Sequence, residues 1–348
     1  GKTEGGYFLH NEDLEYEFLT YGVTKIQKHV QIFATTAVRN RVSKGNHTPK
    51  IRVKVKKERM NWLEFSFEMD GIPDNQVKGI LEALEEKRKY FRLKNGSLLS
   101  LESKEFQEIQ RFLNTSQAEK NDLAKGLELP LYQSLDLLDS VDGVQTFIME
   151  DSFKECFRHL MDPDSRKISI PSSMDSLLRG YQKTGYRWMK TLSHYGMGGI
   201  LADDMGLGKT VQSITYILSV LDDIRSRKFP VLIVCPSSLT YNWKKECVKF
   251  APDIQTLILD GNQVERRKKQ KEMKDVDVII TSYPLLRSDS KWFELQKFHT
   301  VFFDEAQAFK NPVTKTARSV KRIQAENRFA LTGTPVENSL EELWSIFH

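Results

Sequence analysis

A glycine-rich segment between a short apolar run and a helical pattern has the residue types that bind phosphate. Residues 202–210 read ADDMGLGKT. Gly206 and Gly208 let main-chain N–H groups turn toward a phosphate, and the N-terminus of a following helix adds positive potential. Lys209 can neutralise phosphate charge, and the Thr210 hydroxyl can hold Mg²⁺. The segment predicts a nucleotide-binding loop, with a chance glycine turn before a surface helix as the alternative.

Two adjacent carboxylates directly follow another apolar run, at 301–303. Asp304 can coordinate Mg²⁺, and Glu305 can accept a proton from an attacking water. For an isolated Asp-Glu pair, a cap on the next helix is the better interpretation, because Asp favours such positions. Since this chain also carries a phosphate loop, we favour the catalytic interpretation.

Two further polar segments have the chemistry to complete such a site. Thr332, Gly333 and Thr334 follow a third apolar run, and their hydroxyls can sense a terminal phosphate. The alternative there is a plain Gly-Pro turn. Gln182 offers both a donor and an acceptor, which suits the edge of an adenine, although surface glutamines are common.

The strands and helices that must position these residues alternate along the sequence as in an α/β fold. Short apolar runs alternate with helical patterns in the second half of the chain, at 231–234, 278–280, 301–303 and 329–331. Such runs fit strands buried on both faces of a parallel sheet that helices cover. Each run ends in small or polar residues. We expect a doubly wound parallel sheet with the site at the carboxyl ends of its strands.

The first half of the chain predicts a smaller α+β domain. Its patterns indicate an antiparallel hairpin, a helix, a second hairpin and another helix, at 51–55 with 63–69, 77–84, 91–101 and 149–160. A stretch near 161–176 is rich in Pro, Asp and Ser, as linkers are. We therefore predict an α+β domain over 1–170 and an ATP-binding lobe over 171–348.

Composition excludes several other classes of protein. The 348 residues suffice for two domains, and a 39% hydrophobic content suffices for real cores. The net charge of +5 leans toward a polyanionic partner without proving one. We find no long uncharged apolar run, so we expect no membrane span and a cytoplasmic location. Cys156, Cys235 and Cys247 lack metal-ligand spacing, so neither zinc nor disulfides are expected.

Taken together, these motifs resemble the first motor lobe of superfamily-two helicases, and more closely the Swi/Snf-like DNA translocases. The resemblance spans about 175–348, with branch-specific residues at 201–210, 330–338 and 340–345. Asp203, which stands where a phosphate loop usually has Gly, is normal for this branch. DEAD-box RNA helicases carry Ser-Ala-Thr where this chain has Thr-Gly-Thr, which disfavours an RNA helicase. The first half resembles, more weakly, the region that precedes the motor in bacterial members.

The resemblance implies a RecA-like lobe that hydrolyses ATP with Mg²⁺ and moves along double-stranded DNA. It assigns adenine reading to Gln182, nucleotide and Mg²⁺ binding to the phosphate loop, and metal binding and water activation to the acidic pair. Gln307 stands where the branch often has His, and activity is expected to tolerate it. The residues implied to contact the DNA backbone are Pro236, Ser237, Ser238, Thr281 and Ser282. For the two serines of the first loop, a helix cap is the alternative.

The resemblance also implies a second motor lobe that brings catalytic arginines, and we find none in this sequence. We expect a half-motor, cut from a longer protein of the bacterial cytosol or nucleoid, that binds nucleotide and hydrolyses it poorly. The alternative is a non-catalytic DNA-binding or regulatory module with a vestigial ATP site. Two basic groups could also contact phosphate, although solvated faces are favoured for both: Arg52, Lys54 and Lys56, and the run 266–271.

Overall fold

The structure is a computed structural model that describes residues 2–3, 6–7, 9, 11–35, 38, 41, 47–115, 126–134, 146–204, 206–271, 273–309 and 314–333. The chain divides into two compact units, residues 1–155 and 156–348. The division falls inside a helix, Asp151–Met161. The predicted linker near 161–176 follows that helix, and the domain boundary there stays a proposal.

The first unit is an α+β arrangement around a four-stranded sheet. Its elements are β1 (Lys2–Thr3), β2 (Gly6–Tyr7), α1 (Glu12–Glu17), a π-helix (Phe18–Gly22), α2 (Val23–Ile26), β3 (Pro49–Lys56), β4 (Arg59–Met69), α3 (Asp74–Glu85), β5 (Tyr90–Arg92), β6 (Leu98–Ser100), α4 (Lys104–Thr115), β7 (Leu127–Pro130), β8 (Phe147–Met149) and the start of α5 (Asp151–Met161). The sheet order is β7-β4-β3-β8. Both predicted hairpins are present, as β3–β4 and β5–β6.

One face of this sheet forms a core and the other carries charges. Ile51 and Val53 on β3 and Phe65 on β4 are fully buried, as strict alternation requires. Helices α3 and α4 pack their apolar stripes against this face. Phe112 of α4, for example, lies 4.9 Å from Phe65 between ring centroids.

The basic residues of β3 pair with carboxylates on other strands of the same sheet. Arg52 donates to both carboxylate oxygens of Glu68, at 2.8 and 2.9 Å. Lys54 lies 3.1 Å from Glu64, and the Lys56 ammonium lies 2.6 Å from a carboxylate oxygen of Glu128. These cations neutralise acids of their own sheet, which favours the solvated-face interpretation over a phosphate-binding one.

The second unit is a six-stranded parallel sheet with helices on both faces. After α5 and a 3₁₀ turn (Pro163–Ser165), its elements are α6 (Ser172–Asp175), α7 (Gly180–His194), β9 (Gly199–Leu201), α8 (Lys209–Ser219), α9 (Leu221–Arg227), β10 (Val231–Cys235), a 3₁₀ turn (Ser237–Leu239), α10 (Thr240–Phe250), β11 (Thr256–Ile258), α11 (Gln263–Lys271), a 3₁₀ turn (Met273–Asp275), β12 (Val278–Ser282), α12 (Tyr283–Ser288), α13 (Ser290–Glu294), β13 (Lys297–Asp304), a 3₁₀ turn (Ala306–Phe309), α14 (Lys315–Lys321) and β14 (Gln324–Leu331). The strand order is β11-β12-β10-β13-β14-β9. This confirms the predicted doubly wound α/β class.

Each face of this sheet has its own apolar core, which explains the continuous apolar runs. Residues of β10 alternate between the two cores: Ile233 faces α8 and α10, whereas Leu232 and Val234 face α12 and α14. Because both faces are covered, each strand needs apolar side chains at successive positions. Among the described ranges, we find no helix with the length and apolar character to cross a membrane.

Candidate nucleotide-binding site

Two glycines between β9 and α8 have the left-handed backbone conformation that the predicted phosphate loop needs. Gly206 and Gly208 have positive φ angles of 86° and 81°, which side chains other than glycine rarely tolerate. Gly208 is also the N-cap of α8. A Cβ atom at Gly208 would lie 2.4 Å from Nε2 of Gln182, whereas one at Gly206 would meet nothing within 4 Å. Conformation therefore requires glycine at both positions, and close packing requires it also at Gly208.

Lys209, the first residue of α8, is held against main-chain oxygens of its own loop. Its ammonium donates to the carbonyls of Asp203 and Asp204, at 2.6 and 3.1 Å. Carbonyl oxygens carry no net charge, so these bonds orient the cation without neutralising it. The Asp203 carboxylate instead accepts a bond from Nε2 of the fully buried Gln212, at 3.0 Å. Asp203, at the usual glycine position, thus ties the loop to α8.

Gln182 holds the loop from the start of α7. Its Nε2 donates to the Leu207 carbonyl at 3.0 Å, and its Oε1 accepts from the Arg179 main-chain N–H at 3.0 Å. The hydroxyl of Tyr181, which the sequence reasoning missed, donates to the same Leu207 oxygen at 3.1 Å. Both polar atoms of the Gln182 amide bond the main chain, so adenine reading stays a prediction for this residue.

Asp304 ends β13 and is almost fully buried, with 8% of its surface exposed. Its Oδ2 accepts a hydrogen bond from the Trp243 indole at 2.8 Å, and its Oδ1 accepts from the Glu305 N–H at 3.0 Å. The Tyr283 hydroxyl donates to its main-chain oxygen at 2.7 Å. Burial raises the pKa of the Asp304 carboxyl, while the Trp243 bond and the nearby charge of Lys209 act in the opposite direction.

Glu305, Gln307 and Thr332 form one hydrogen-bonded line. The Gln307 amide nitrogen lies 2.5 Å from a carboxylate oxygen of Glu305 and donates to it. The Thr332 hydroxyl donates to the side-chain amide oxygen of Gln307 at 3.0 Å. The Thr332 N–H donates to the carbonyl of Leu201, the last residue of β9, at 3.2 Å. The structure therefore brings the predicted proton acceptor and the predicted coupling segment together beside the strand that leads into the phosphate loop.

The Glu305 backbone is unusual, with a positive φ angle of 50°. Non-glycine residues in this region cost about 1–3 kcal/mol and cluster at functional sites. The turn carries the chain away from β13, so that Gln307 can reach Thr332. Gly333 directly follows Thr332, and Thr334 lies outside the described residues.

The residues predicted to contact DNA differ in exposure. Ser237 and Ser238 are exposed in the short turn before α10, and Pro236 is half-buried beside them. Thr281 and Ser282 are buried, and the Thr281 hydroxyl donates to the Leu259 carbonyl at 3.2 Å. Both residues still belong to β12, and the two apolar cores cover both faces of that strand. The hydroxyls of this second loop are therefore buried here, and DNA contact by Thr281 and Ser282 stays a prediction.

The basic run 266–271 also divides by role. Arg266 is buried and makes two bonds to the Asp289 carboxylate, at 2.7 and 2.8 Å. Lys269 pairs with Asp260. Only the remaining basic residues of the helix, Arg267, Lys268 and Lys271, are exposed. Part of this run is therefore structural rather than a solvated face.

The donor set at the loop suits Mg²⁺. Thr210 offers a hydroxyl in the first turn of α8, and Asp304 offers a carboxylate at the end of β13. Within the described ranges, no group of three or more His, Cys, Asp or Glu side chains is arranged to hold a metal. A metal with few protein ligands that takes its other ligands from phosphate and water is typical of Mg²⁺.

These features define a P-loop nucleotide-binding lobe: a strand, a glycine loop ending in Lys-Thr, a helix, and an acidic pair at the end of a nearby parallel strand. The comparisons with known families agree. Residues 181–348 match the SNF2-related domain, and residues 1–171 match the domain described as bacterial SNF2 helicase associated. The chain thus joins a domain that resembles the one associated with bacterial SNF2 helicases to a SNF2-related domain.

Several known proteins are similar to this chain. An uncharacterized ATP-dependent helicase of Mycoplasma genitalium is 43% identical over 182 residues, covering 52% of this chain and 17% of the relative. The putative ATP-dependent helicase/translocase YwqA of Bacillus subtilis is 38% identical over 219 residues, covering 61% of this chain and 23% of the relative. This chain thus spans less than a quarter of the length of either relative.

A solved structure is also similar, the Sulfolobus solfataricus SWI2/SNF2 ATPase core in complex with double-stranded DNA. It is 39% identical in sequence, with a TM-score of 0.45, covering 49% of this chain and 35% of that one.

Proposed function

We propose that residues 171–348 form the MgATP-binding lobe of a motor that hydrolyses ATP and moves along double-stranded DNA. Residues 1–170 would be the associated domain of the same protein. The proposal rests on one observation, which is that five predicted site residues lie together at the carboxyl ends of β9, β13 and β14: Lys209, Asp304, Glu305, Gln307 and Thr332. The match of residues 181–348 to the SNF2-related domain and the similarity to named ATP-dependent helicases support this proposal.

Each side chain has a role that follows from its chemistry. Lys209 would leave its two carbonyl partners and bind the outer phosphates, where the α8 N-terminus also favours negative charge. Thr210 and Asp304 would hold Mg²⁺, which when bound neutralises phosphate charge. Glu305 would accept the proton of the attacking water. Gln307, held by Thr332, would keep the Glu305 carboxylate in place.

The DNA contacts and the cellular setting are also proposals. Ser237 and Ser238 are exposed at the start of α10 and would donate to phosphate oxygens, which gives binding without sequence preference. The SNF2 resemblance implies a second motor lobe whose arginines stabilise transition-state charge, so we expect slow turnover by these 348 residues alone. The bacterial relatives support a location in the cytosol or nucleoid.

The test is ATP hydrolysis by the chain with and without duplex DNA, for the wild type, Lys209→Ala and Glu305→Gln. We expect a slow rate that duplex DNA increases and that Lys209→Ala abolishes. Glu305→Gln should lower the rate by about 100-fold or more, since a general base contributes about 10²–10⁴-fold. Arg52→Gln is the matched control for loss of a positive charge.

Three results would contradict the proposal in whole or in part. A rate unchanged by Lys209→Ala would come from another site or a contaminant. Absence of both hydrolysis and Lys209-dependent ATP binding would favour the non-catalytic module with a vestigial site. A stronger response to duplex RNA than to duplex DNA would contradict the choice of DNA.

A further inference from the structure

Asp304 is bound from both faces of the parallel sheet. Trp243 belongs to the apolar core on the side of α8 and α10, and Tyr283 belongs to the core on the side of α12 and α14. The indole N–H of Trp243 donates to the carboxylate of Asp304, and the hydroxyl of Tyr283 donates to its main-chain oxygen. Two aromatic side chains from opposite layers thus meet at one residue.

Both aromatic residues lie in the first turn of a helix that follows a predicted DNA-contacting loop. Trp243 is the fourth residue of α10, which continues directly from the exposed serines at 237–238. The Thr240 hydroxyl donates to the Ser237 carbonyl at 3.1 Å and joins that turn to the helix. Tyr283 is the first residue of α12, immediately after Ser282. A displacement of either loop therefore moves a hydrogen-bond donor of Asp304.

The two contacts are built to transmit such a displacement. Trp243 is 1% exposed and Tyr283 is 6% exposed. A buried indole N–H or phenol O–H without a hydrogen-bond partner is destabilising by its full desolvation free energy. Each donor is therefore expected to move together with its acceptor. Close packing of both cores prevents the rings from shifting independently.

We propose that Trp243 and Tyr283 are positioning residues that couple duplex binding at the two loops to Mg²⁺-nucleotide binding at Asp304. This inference rests on the proposed function. It deepens that function because it names the side chains through which DNA would act on the ATP site. Neither residue touches the nucleotide; each acts through Asp304.

The first measurement separates positioning from mere packing. Dissociation constants for ATP are measured with Mg²⁺ and with EDTA, for the wild type, Trp243→Phe and Tyr283→Phe. Trp243→Phe removes a hydrogen bond to the Asp304 carboxylate, so the variant should bind MgATP about tenfold more weakly than the wild type. Its affinity for metal-free ATP should stay within about twofold of the wild type. Equal weakening with and without the metal, or no weakening, would overturn the positioning role.

The second measurement tests coupling to DNA. The dissociation constant for MgATP is measured with and without saturating duplex DNA. We expect the duplex to tighten binding by about tenfold in the wild type, within the usual range of coupling between two sites. Trp243→Phe and Tyr283→Phe should each reduce this ratio to below about threefold, without changing affinity for the duplex alone.

Controls and outcomes keep the two proposals distinct. Tyr216→Phe removes a buried hydroxyl bonded to Ser193 instead of Asp304, and Trp292→Phe replaces a half-buried indole on α13. Both controls should keep the wild-type ratio. If Trp243→Phe fails to fold, Tyr283→Phe, which removes one oxygen, still gives the answer. Wild-type binding of MgATP and duplex without coupling would overturn this inference alone, whereas absence of Lys209-dependent ATP binding would overturn the proposed function as well.

Discussion

The basic residues of β3 and the lysine of the phosphate loop show two uses of positive charge. Arg52, Lys54 and Lys56 each lie against a carboxylate on another strand of the same sheet. Lys209 donates to two main-chain carbonyl oxygens, which orient its ammonium without neutralising it. A cation that already neutralises an acid of its own fold stabilises that fold. A cation held only by neutral oxygens remains able to bind a phosphate.

The comparison is tested most severely where a paired cation is also buried. Arg266 and Asp289 have side chains only 6% and 9% exposed. Arg266→Ala should lower the free energy of unfolding by about 3–5 kcal/mol, because Asp289 would stay buried without its partner. Urea denaturation of the wild type and the variant measures this. Arg267→Ala, on the exposed face of the same helix, is the control, and an equal effect from both would contradict the structural role of Arg266.

A smaller loss of stability is expected when the uncharged hydrogen bond between Thr332 and Gln307 is removed. Thr332→Val removes the bond to Gln307 and preserves the shape of the side chain. Unfolding should become easier by about 1 kcal/mol, and ATP hydrolysis should slow while MgATP affinity stays within about twofold. Denaturation and steady-state rates measure the two effects. An unchanged rate would mean that the line from Glu305 to Thr332 has no part in hydrolysis.

A buried histidine in β13 gives the parallel sheet a response to acid. Burial lowers the pKa of His299 below its ordinary value of 6.5, despite the opposing charge of Asp223. Folding therefore favours the neutral ring, and the stability due to this group is present above about pH 6.5 and is lost as the pH falls through the lowered pKa. His299→Gln should flatten the decline in unfolding free energy between about pH 7 and pH 5. A decline as steep as in the wild type would assign it to other groups.

The smallest effect is expected for the half-exposed pairs of β3. Arg52→Ala should lower the free energy of unfolding only slightly, since solvent screens such pairs. Glu68→Ala should cost a similar amount, and the double variant should cost less than the two single effects combined. The same denaturation assay measures all three. Weaker binding of duplex DNA by Arg52→Ala would instead show that this face contacts phosphate.

Much of the fold could be predicted because the spacing of apolar residues along the chain indicates which faces of a strand or helix are buried. The continuous run at 231–234 became β10, covered on both faces, and the alternating run at 51–55 became β3, covered on one. The P-loop helix begins at Lys209, where the glycine pattern places it. The individual roles of the site residues stay predictions, although the structure brings Lys209, Asp304 and Thr332 to one edge of the sheet.

The remaining features depend on strand order and on contacts distant in sequence. Thr281 is buried because β12 extends through Ser282, beyond the apolar run 278–280, and its hydroxyl bonds the carbonyl of Leu259, which is 22 positions away. The bond from Trp243 to Asp304 joins residues 61 positions apart. At helical spacing Trp243 resembles any core aromatic residue. The only local signal was its indole N–H, which requires a partner when it is buried.

The central claim is that Lys209 keeps its charge for a phosphate whereas the β3 cations do not. Calorimetric titration of the chain with MgATP tests it directly, for the wild type, Lys209→Ala and Arg52→Gln. The account predicts that Lys209→Ala loses measurable binding and that Arg52→Gln binds as the wild type does. Equal affinity of Lys209→Ala and the wild type, or a loss in Arg52→Gln as large as in Lys209→Ala, would contradict it.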